Sequence, residues 1–259
     1  MGYFANKKVW ITGASSGIGK AAAQALNAAG AEVLISARRS DLLQAVKESC
    51  PHPTQVHILP VDLEHSSNAA EWLQEALQRM GGLDILLANA GIGQSGYALD
   101  TLEEVERKIF EINYHGHLGL TKTVLRYFLE QGNGQIVAIA SIAGKFGQRK
   151  LAAYSASKAA LLLYYESLWH ELKNQAIKLQ VVSPGFINTD VTLNSLDTKG
   201  ERLNKNSKAQ ENGMPAEVFA KKLLKVMQGH RFHSYIGGKE LLAVPLHAIS
   251  PRLFYKLLG

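Results

Sequence analysis

The sequence predicts an α/β fold with a parallel sheet covered by helices on both faces. Six short runs rich in apolar and β-branched residues occur at residues 8–11, 32–36, 55–60, 83–88, 135–140 and 178–182. Segments with helical periodicity lie between most of them, including residues 17–29, 66–80, 103–130 and 152–173. Near-continuous apolar strands that alternate with amphipathic helices are typical of a doubly wound parallel sheet.

A chain of 259 residues could form one large domain or two small ones, and the lack of a Pro/Gly/Ser-rich linker before residue 186 favours one domain over residues 1–259. The hydrophobic share of 46% and the charged share of 19% are ordinary for a globular protein. The single cysteine, Cys50, excludes an internal disulfide framework and has no Cys or His neighbour at metal-ligand spacing, so we expect no metal. Residues 1–8 lack the long apolar core of a signal peptide. These features lead us to expect a soluble cytoplasmic protein.

The net charge of +6 is concentrated toward the C-terminal end. Residues 199–259 hold 11 Lys and Arg against 4 Asp and Glu, whereas residues 1–198 hold 17 against 18. A basic segment can attract anionic lipid or nucleic acid, although a solvated helix face is the simpler interpretation. No module that combines aromatic and basic residues accompanies the charge, so we expect no nucleic-acid partner.

A glycine-rich segment follows the first predicted strand and opens the first predicted helix. Residues 12–19 read T-G-A-S-S-G-I-G, with G-x-x-x-G-x-G spacing in place of the common G-x-G-x-x-G. Glycines allow a tight turn and a close approach to a pyrophosphate, and a helix N-terminus favours an anion. The position between strand and helix makes this segment a candidate dinucleotide-binding loop.

The same segment contains a competing motif. Residues 13–17 also read as G-x-S-x-G, the nucleophile elbow of α/β-hydrolases, which is likewise a turn between a strand and a helix. A hydrolase would need Asp or Glu and then His at later strand ends, and such residues occur in any chain of this length. Gly19 and the location on the first strand favour the dinucleotide loop.

Three further residues form a candidate catalytic set. Tyr154 and Lys158 are four residues apart on one predicted helix and therefore neighbours on one face. A tyrosine hydroxyl has a pKa of about 10, so proton exchange near neutral pH requires a cation beside it. A shift of about 3 units is worth roughly 4 kcal/mol, which an ammonium together with an oxidised nicotinamide could supply. Ser141 ends a predicted strand, where its hydroxyl can bind a substrate oxygen.

In these motifs the chain resembles the short-chain dehydrogenase/reductase family, in its classical form, over roughly residues 6–190. Residues 12–19 are similar to the family's cofactor loop, and residues 89–91 to the N-A-G that closes strand four. Asn113, Ser141, Tyr154 and Lys158 match the family's catalytic residues. The resemblance implies a Rossmann-type fold and a cofactor site formed by Gly13, Ser15, Ser16, Gly17, Ile18, Gly19, Arg38, Arg39, Asp62, Leu63, Asn89, Ala90, Gly91, Tyr154, Lys158, Pro184, Gly185, Ile187 and Thr189.

The resemblance also implies a reaction, in which a hydride moves between a nicotinamide and a carbonyl or secondary alcohol. Ser141 would polarise the oxygen, and Tyr154 would exchange its proton. Lys158 would lower the pKa of Tyr154 and bind the nicotinamide ribose. Asn113 would position a water that links Lys158 to solvent, although Asn113 alone would be interpreted as a helix residue satisfied by backbone. The alternative is a non-catalytic NADP(H)-binding regulatory protein, which would not need this intact set.

The end of the second predicted strand bears on the choice of cofactor. An NAD enzyme usually carries an acid there, bonded to the adenosine ribose. This chain instead has Arg38 and Arg39 after Ser36 and Ala37. A guanidinium binds phosphate through a rigid fork and stacks on adenine. We therefore expect NADP(H) rather than NAD(H), with Arg38 the first candidate for the 2′-phosphate and Arg39 the second.

The C-terminal third leaves the small-molecule substrate open. In the family, the segment at about residues 186–215 forms a lid over the substrate. Residues 240–259 form an apolar extension that Pro245 and Pro251 interrupt, too broken for a membrane span. The extension could pack in the core, form a dimer contact or substrate cap, or dock on a membrane surface. Relatives with apolar C-terminal caps suggest a lipophilic substrate by analogy.

Two helical segments predict assembly. Residues 103–130 and 152–173 are apolar on more than one face, with Leu161, Leu162, Leu163, Tyr165 and Trp169 in close succession. A helix that is apolar nearly all round needs a second partner besides its own sheet. In the family these helices pair as a four-helix bundle, so we expect a homodimer or homotetramer. His115 and His117 point apart on this helix and are interpreted as structural or substrate-lining.

Overall fold

A computed structural model describes residues 2–189, 193–205 and 207–258. A parallel sheet of seven strands forms its centre, in the order β3-β2-β1-β4-β5-β6-β9. These strands are β1 (Lys8–Thr12), β2 (Glu32–Ser36), β3 (Val56–Ile58), β4 (Ile85–Ala88), β5 (Gly134–Ile139), β6 (Ile177–Pro184) and β9 (His233–Ile236). Two short strands, β7 (Ile187–Asn188) and β8 (Met214–Pro215), pair separately at the predicted lid.

Helices cover both faces of this sheet. They are α1 (Gly17–Ala28), α2 (Ser40–Glu48), α3 (Ala69–Met80), α4 (Glu103–Phe110), α5 (Gly116–Gln131), α6 (Ala152–Glu171), α7 (Lys208–Glu211), α8 (Ala216–Gln228), α9 (Ala243–Ile249) and α10 (Pro251–Leu258). Helices α1, α2 and α8 contribute Leu26, Leu43 and Phe219 to one apolar core. Helices α3, α5 and α6 contribute to the other core, which includes Phe128 and Tyr165. The doubly wound fold predicted from the sequence is confirmed.

The strand order places a crevice at the centre of the sheet. The chain leaves β1 toward β2 on one side, and β4 pairs with β1 on the other. Loops from neighbouring strands diverge at such a reversal of strand order, which is where ligands bind in open α/β sheets. The loops after β1 and β4 therefore form the two walls of a binding crevice.

The predicted helix over residues 103–130 is interrupted by a π turn. Backbone from α4 to α5 stays helical, and the five residues Glu111–His115 form the wider turn. Single π turns within α-helices are frequent at functional sites. Asn113 lies in this turn and is fully buried.

The C-terminal extension packs by one face only. Phe254 of α10 is buried against Phe146, with ring centroids 4.8 Å apart, and Ile142 joins the same cluster. Leu253 and Leu257, by contrast, are 45% and 63% exposed. The extension thus seats on the loop that follows β5 and leaves apolar surface facing outward. None of the helices in the described part of the chain combines the length and hydropathy of a membrane-spanning segment.

Candidate functional site

A cavity of about 510 Å³ opens at the carboxyl ends of the central strands. It crosses the ends of six adjacent strands, β3, β2, β1, β4, β5 and β6. At a strand spacing of about 4.8 Å, this span is roughly 24 Å, long enough for an extended dinucleotide. The predicted cofactor residues that line it are Gly13, Ser15, Ser16, Gly17, Ile18, Arg38, Arg39, Asp62, Leu63, Asn89, Ala90, Gly91, Tyr154, Lys158, Pro184, Gly185, Ile187 and Thr189.

Two predicted site residues lie behind this cavity instead of lining it. Gly19 is inside α1, and a Cβ there would stand 2.3 Å from the Gly13 carbonyl oxygen. Its role is to let the helix approach the loop closely. Asn113 is the second, held in the π turn behind residues 91–92.

The shape of the loop between β1 and α1 depends on its glycines. Gly13 and Gly17 have φ values of +66° and +53°, a region that favours glycine. A Cβ on Gly13 would also lie 2.6 Å from the Ala90 Cα. Thr12 Oγ1 accepts hydrogen bonds from the Asn89 and Ala90 amides, both at 3.1 Å, which ties the loop after β1 to the loop after β4.

The competing hydrolase motif finds no support in the cavity. Ser15 would need a histidine within hydrogen-bonding reach to act as a nucleophile. Within the described ranges, no histidine is among the residues that line the cavity. Within the described residues, the cavity therefore offers Ser15 no histidine base.

Ser141 and Tyr154 meet at one end of the cavity. Ser141 follows β5, and its Oγ accepts a hydrogen bond of 3.1 Å from the Ala143 amide. Tyr154 lies in the first turn of α6, and its hydroxyl is hydrogen-bonded to Ser141. Burial raises the pKa of Tyr154, and the bond to Ser141 opposes that rise. Because burial is the largest cause, the protein alone raises the pKa of Tyr154. The family resemblance had implied that Lys158 would lower it.

Lys158 is one turn further along α6 and is almost completely buried. Its Nζ donates to the Ile139 carbonyl oxygen at 3.1 Å. Burial lowers the pKa of Lys158 to about 8, so the ammonium is still charged at neutral pH. A Cβ on Gly91 would stand 3.4 Å from this Nζ, so glycine there keeps the approach to the ammonium open.

Asn113 connects α4 and α5 to the loop after β4. Its Oδ1 accepts from the Ile92 amide at 2.8 Å, and its Nδ2 donates to the Ile92 carbonyl at 2.9 Å. Nδ2 also lies 3.2 Å from Ser157 Oγ. The side chain is therefore satisfied by backbone, the interpretation that Asn113 would receive outside its motif. The structure shows it fixing the wall beside Lys158.

His117 supports the same wall from the interior. It is fully buried on α5, and its Nε2 donates to the Ala90 carbonyl oxygen. Burial, followed by the nearby charge of Lys158, lowers the pKa of His117 to about 3, although the bond to Ala90 acts in the opposite direction. With this pKa the imidazole of His117 is neutral at pH 7. Its Nδ1 has no hydrogen-bond partner among the described residues. His117 is therefore a structural residue, and only its burial, which sequence could not give, distinguishes it from the exposed His115.

The far end of the cavity carries two arginines. Arg38 and Arg39 are exposed and line the cavity at the start of α2. Neither forms a salt bridge with another described residue. The Ser36 hydroxyl, by contrast, accepts a 2.9 Å hydrogen bond from Trp10 Nε1. Asp62 caps the turn that follows it by accepting from the Glu64 amide at 3.1 Å.

The segment after β6 closes the cavity on the remaining side. Pro184, Gly185 and Ile187 line the cavity beside Tyr154. The Gly185 amide donates to the Ile236 carbonyl at 2.9 Å, and the Phe186 amide donates to Glu240 Oε1 at the same distance. Glu240 was not predicted, because its partner is a backbone amide that lies 54 residues earlier in the chain.

The substrate end of the cavity is mixed in character. Ile142, Ala143, Leu151 and Phe186 supply apolar surface. Polar lining residues include Gln94, Ser95, Gln148, Asn194, Ser195 and Gln210. Several of these belong to the predicted lid, of which Asp190, Val191, Thr192 and Asn206 lie outside the described residues. The described part of the chain contains no cluster of three His, Cys, Asp or Glu suited to a metal ion.

Comparison with known proteins places this fold and site in context. A family model described as short chain dehydrogenase matches residues 7–200. Dehydrogenase/reductase SDR family member 7B of Rattus norvegicus is 34% identical over 99% of this chain and 82% of its own length. Dehydrogenase/reductase SDR family protein 7-like of Anopheles gambiae is 36% identical over 97% of this chain and 78% of its own.

A solved structure shows the same architecture. A short-chain dehydrogenase/reductase from Burkholderia phymatum in complex with NAD superposes with a TM-score of 0.87, covering 98% of this chain and 96% of that chain. At 22% identity, this likeness shows the fold alone. Together with the family model, these matches show that the chain belongs to the short-chain dehydrogenase/reductase family, whose members are oxidoreductases that use nicotinamide cofactors.

Proposed function

We propose that this protein is an NADP(H)-dependent oxidoreductase that interconverts a carbonyl and a secondary alcohol. The observation that carries the proposal is the meeting of Ser141, Tyr154 and Lys158 at one end of a dinucleotide-sized cavity. A regulatory protein that binds NADP(H) without turnover would not require these groups to converge. The catalytic interpretation is therefore the stronger one.

Each residue has a physical task in the proposed reaction. The nicotinamide, when bound, supplies or accepts the hydride. Ser141 binds the substrate oxygen, and Tyr154, kept protonated by its raised pKa, donates the proton during reduction. Lys158 places a positive charge at the Tyr154 side of the cavity, which favours negative charge developing on the phenol oxygen. Asn113 holds the wall beside Lys158, and a water positioned near it would complete the path for protons to solvent.

The preference for NADP(H) is proposed from charge. Two exposed arginines line the cavity where α2 begins, and no carboxylate occurs at residues 36–40. A 2′-phosphate at this end could accept charge-assisted hydrogen bonds from Arg38, with Arg39 as a second donor. The NAD bound in the Burkholderia phymatum relative belongs to a protein of low identity and does not determine this choice.

The remaining parts of the proposal concern substrate and surroundings. A lipophilic substrate is supported by the apolar cluster of the C-terminal extension, which borders the loop after Ser141. Assembly as a homodimer or homotetramer is supported by Leu163, which is 65% exposed on α6. The exposed leucines of α10 support a weak contact with a membrane surface. We place the reaction in the cytoplasm, where the lone buried Cys50 thiol would remain reduced.

Replacing Tyr154 by Phe tests the proposed reaction. Turnover of carbonyl substrates with NADPH should fall by orders of magnitude while nucleotide binding changes little, because the lost hydroxyl acts in the transition state. NADPH consumption over a panel of aliphatic, aromatic, steroid and sugar carbonyls supplies the assay, and fluorescence titration supplies the binding constant. Tyr235→Phe, which removes a hydroxyl from β9 outside the cavity and outside the groove beside Leu163, is the control. A variant that keeps more than about a tenth of wild-type turnover would show the assignment to be wrong.

A further inference from the structure

Glu240 stands at the junction between the sheet and the C-terminal extension. It follows the last strand by four residues and precedes α9, and it is the only acidic residue among residues 239–258. Its side chain is half-buried and turns back toward the segment after β6. The proposed reaction assigns no part to Glu240.

One oxygen of Glu240 holds two backbone amides from separate parts of the chain. Oε1 accepts from the Phe186 amide at 2.9 Å and from the Gly238 amide at 2.8 Å. Hydrogen bonds to a charged acceptor are stronger than neutral ones. Glu240 is therefore the side chain that joins the cavity-lining segment after β6 to the start of the extension.

Two glycines beside this carboxylate have no room for a side chain while Glu240 keeps its position. A Cβ on Gly185 would lie 1.9 Å from Oε1, and a Cβ on Gly237 would lie 2.5 Å from it. Gly185 lines the cavity, whereas Gly237 does not. The position of the carboxylate thus depends on glycine at both places, and a side chain at Gly185 or Gly237 would displace it.

The extension that Glu240 begins packs on the loop that follows Ser141, with Leu241 and Leu246 in the same apolar cluster. Phe254 packs against Phe146 and Ile142, in the loop that directly follows Ser141. Glu240 contacts the segment beside the cavity, and Phe254 contacts the loop after β5. The extension is therefore joined both to the cavity-lining segment after β6 and to the loop that follows Ser141.

We infer that Glu240 is a positioning residue, which sets the cavity-lining backbone at residues 184–187 through the Phe186 amide and couples it to the seating of the C-terminal extension. This inference rests on the proposed function for its catalytic meaning. Loss of the carboxylate would free residues 184–187 to leave their place in the cavity wall and would loosen α9 and α10 together.

Hydrogen exchange in the protein alone tests the structural half of this inference. Glu240→Ala should speed exchange of the Phe186 amide by about tenfold or more, because a bond to a charged acceptor is lost. Exchange in α9 and α10 should rise with it. Glu240→Gln keeps an oxygen acceptor and should restore most of the protection. Unchanged exchange at Phe186 in Glu240→Ala would overturn the inference. If Glu240→Ala does not fold, Glu240→Asp, which withdraws the oxygen by one methylene, replaces it.

Nucleotide binding tests the functional half. Glu240→Ala should weaken NADPH by about tenfold and raise the cofactor KM more than it lowers kcat, whereas Glu240→Gln should stay close to wild type. Gly237→Ala, outside the cavity, should reproduce the loss by displacing the carboxylate, and the double variant should be no worse than Glu240→Ala alone. Glu71→Ala, an exposed acid on α3, is the control.

The outcomes separate this inference from the proposed function. Equal losses in Glu240→Gln and Glu240→Ala, or additive losses in the double variant, would overturn the role of the hydrogen bonds. A wild-type protein that binds neither NADPH nor NADH would overturn the proposed function, and the Phe186 exchange would still decide whether Glu240 holds this segment.

Discussion

Burial moves the two proton-carrying groups of the site in opposite directions. It raises the pKa of Tyr154 and lowers that of Lys158 to about 8, in each case because the charged form is poorly solvated. At neutral pH the phenol is therefore protonated and the ammonium charged. This pair is suited to carbonyl reduction, in which Tyr154 gives up its proton. For alcohol oxidation, Tyr154 would need further positive charge nearby, such as that of an oxidised nicotinamide.

Arg38→Ala tests cofactor choice at the level of one side chain. Losing a charge-assisted contact with a phosphate should cost about 1.5–3 kcal/mol, or roughly 10- to 100-fold in affinity for NADPH. Affinity for NADH should change far less, because NADH lacks the 2′-phosphate. Fluorescence titration of both nucleotides measures the effect, with Arg39→Ala as the neighbouring comparison. Equal affinity of the wild-type protein for NADPH and NADH would contradict the preference.

His117 predicts a pH dependence of stability. The folded protein holds the pKa of His117 at about 3, below the ordinary value of 6.5, so the unfolded chain binds the proton first as pH falls. Stability from this group is complete above pH 6.5 and declines toward pH 3. Between pH 7 and pH 5 the loss should be about 2 kcal/mol. Urea unfolding at several pH values measures it at fixed protein concentration.

His117→Gln is the matched control for that measurement. The Gln amide can still donate to the Ala90 carbonyl but does not titrate in this range. The stability of the variant should fall less steeply between pH 7 and pH 5, by the contribution of His117. If the stability of the two proteins falls equally steeply with pH, the pKa of His117 is not lowered in the folded protein.

At the level of elements, hydrophobic periodicity predicted the strands and helices that carry a clear pattern. It missed elements and side chains whose role depends on contacts with distant parts of the chain. Strand β2 was predicted with its observed bounds at residues 32–36, and α1 within one residue. Strand β9 was missed, because His233 and Tyr235 alternate with buried Ser234 and Ile236 at the sheet edge in a run of only four residues. Ser141, Tyr154 and Lys158 of the predicted set line one cavity, where the end of β5 meets the first turns of α6, whereas Asn113 lies behind it. Glu240 was not predicted, because it acts on backbone from another part of the chain, and the sequence left open whether His117 is structural or substrate-lining.

Helix α10 predicts the behaviour of the extension at a lipid surface. Leu253 and Leu257 form an exposed row one turn apart, and Arg252 and Lys256 form the adjacent row. No acidic residue occurs at residues 241–258. Leucines can enter the interface while each basic side chain adds about 1 kcal/mol near anionic lipid. The protein should therefore float with phosphatidylserine-containing vesicles at low salt and dissociate as salt rises.

The double variant Leu253→Ser and Leu257→Ser should abolish this flotation while leaving the melting temperature nearly unchanged, because both side chains are exposed. Leu99→Ser is the matched control, since Leu99 is an exposed leucine that lies far along the chain from the extension. Retained vesicle binding in the double variant would reject α10 as the contact. No binding by the wild-type protein at low ionic strength would leave the extension as a cap on the loop after β5.

At the level of the whole molecule, α6 leaves one apolar side without a partner in the monomer. Leu161 and Tyr165 are buried in the core beneath it, yet Leu163 is 65% exposed. A shallow groove of about 320 Å³ beside Leu163 is lined by Tyr114, Ala160, Leu163, Tyr164, Ser167, Leu168 and Glu171. Residues of the π turn and of α6 thus form one continuous surface. Such a surface is suited to a two-fold contact in which the same residues of two copies meet.

Light scattering coupled to size-exclusion chromatography tests this assembly. We expect a homodimer at least at micromolar concentration, because apolar helix surface buried between copies is removed from water. Leu163→Glu should shift the protein toward monomer, since two carboxylates would meet near the two-fold axis without a counter-charge. Leu99→Glu introduces the same charge at an exposed leucine away from this groove and should leave the mass unchanged. A wild-type protein that remains monomeric under these conditions would contradict the prediction and leave the apolar side of α6 facing water.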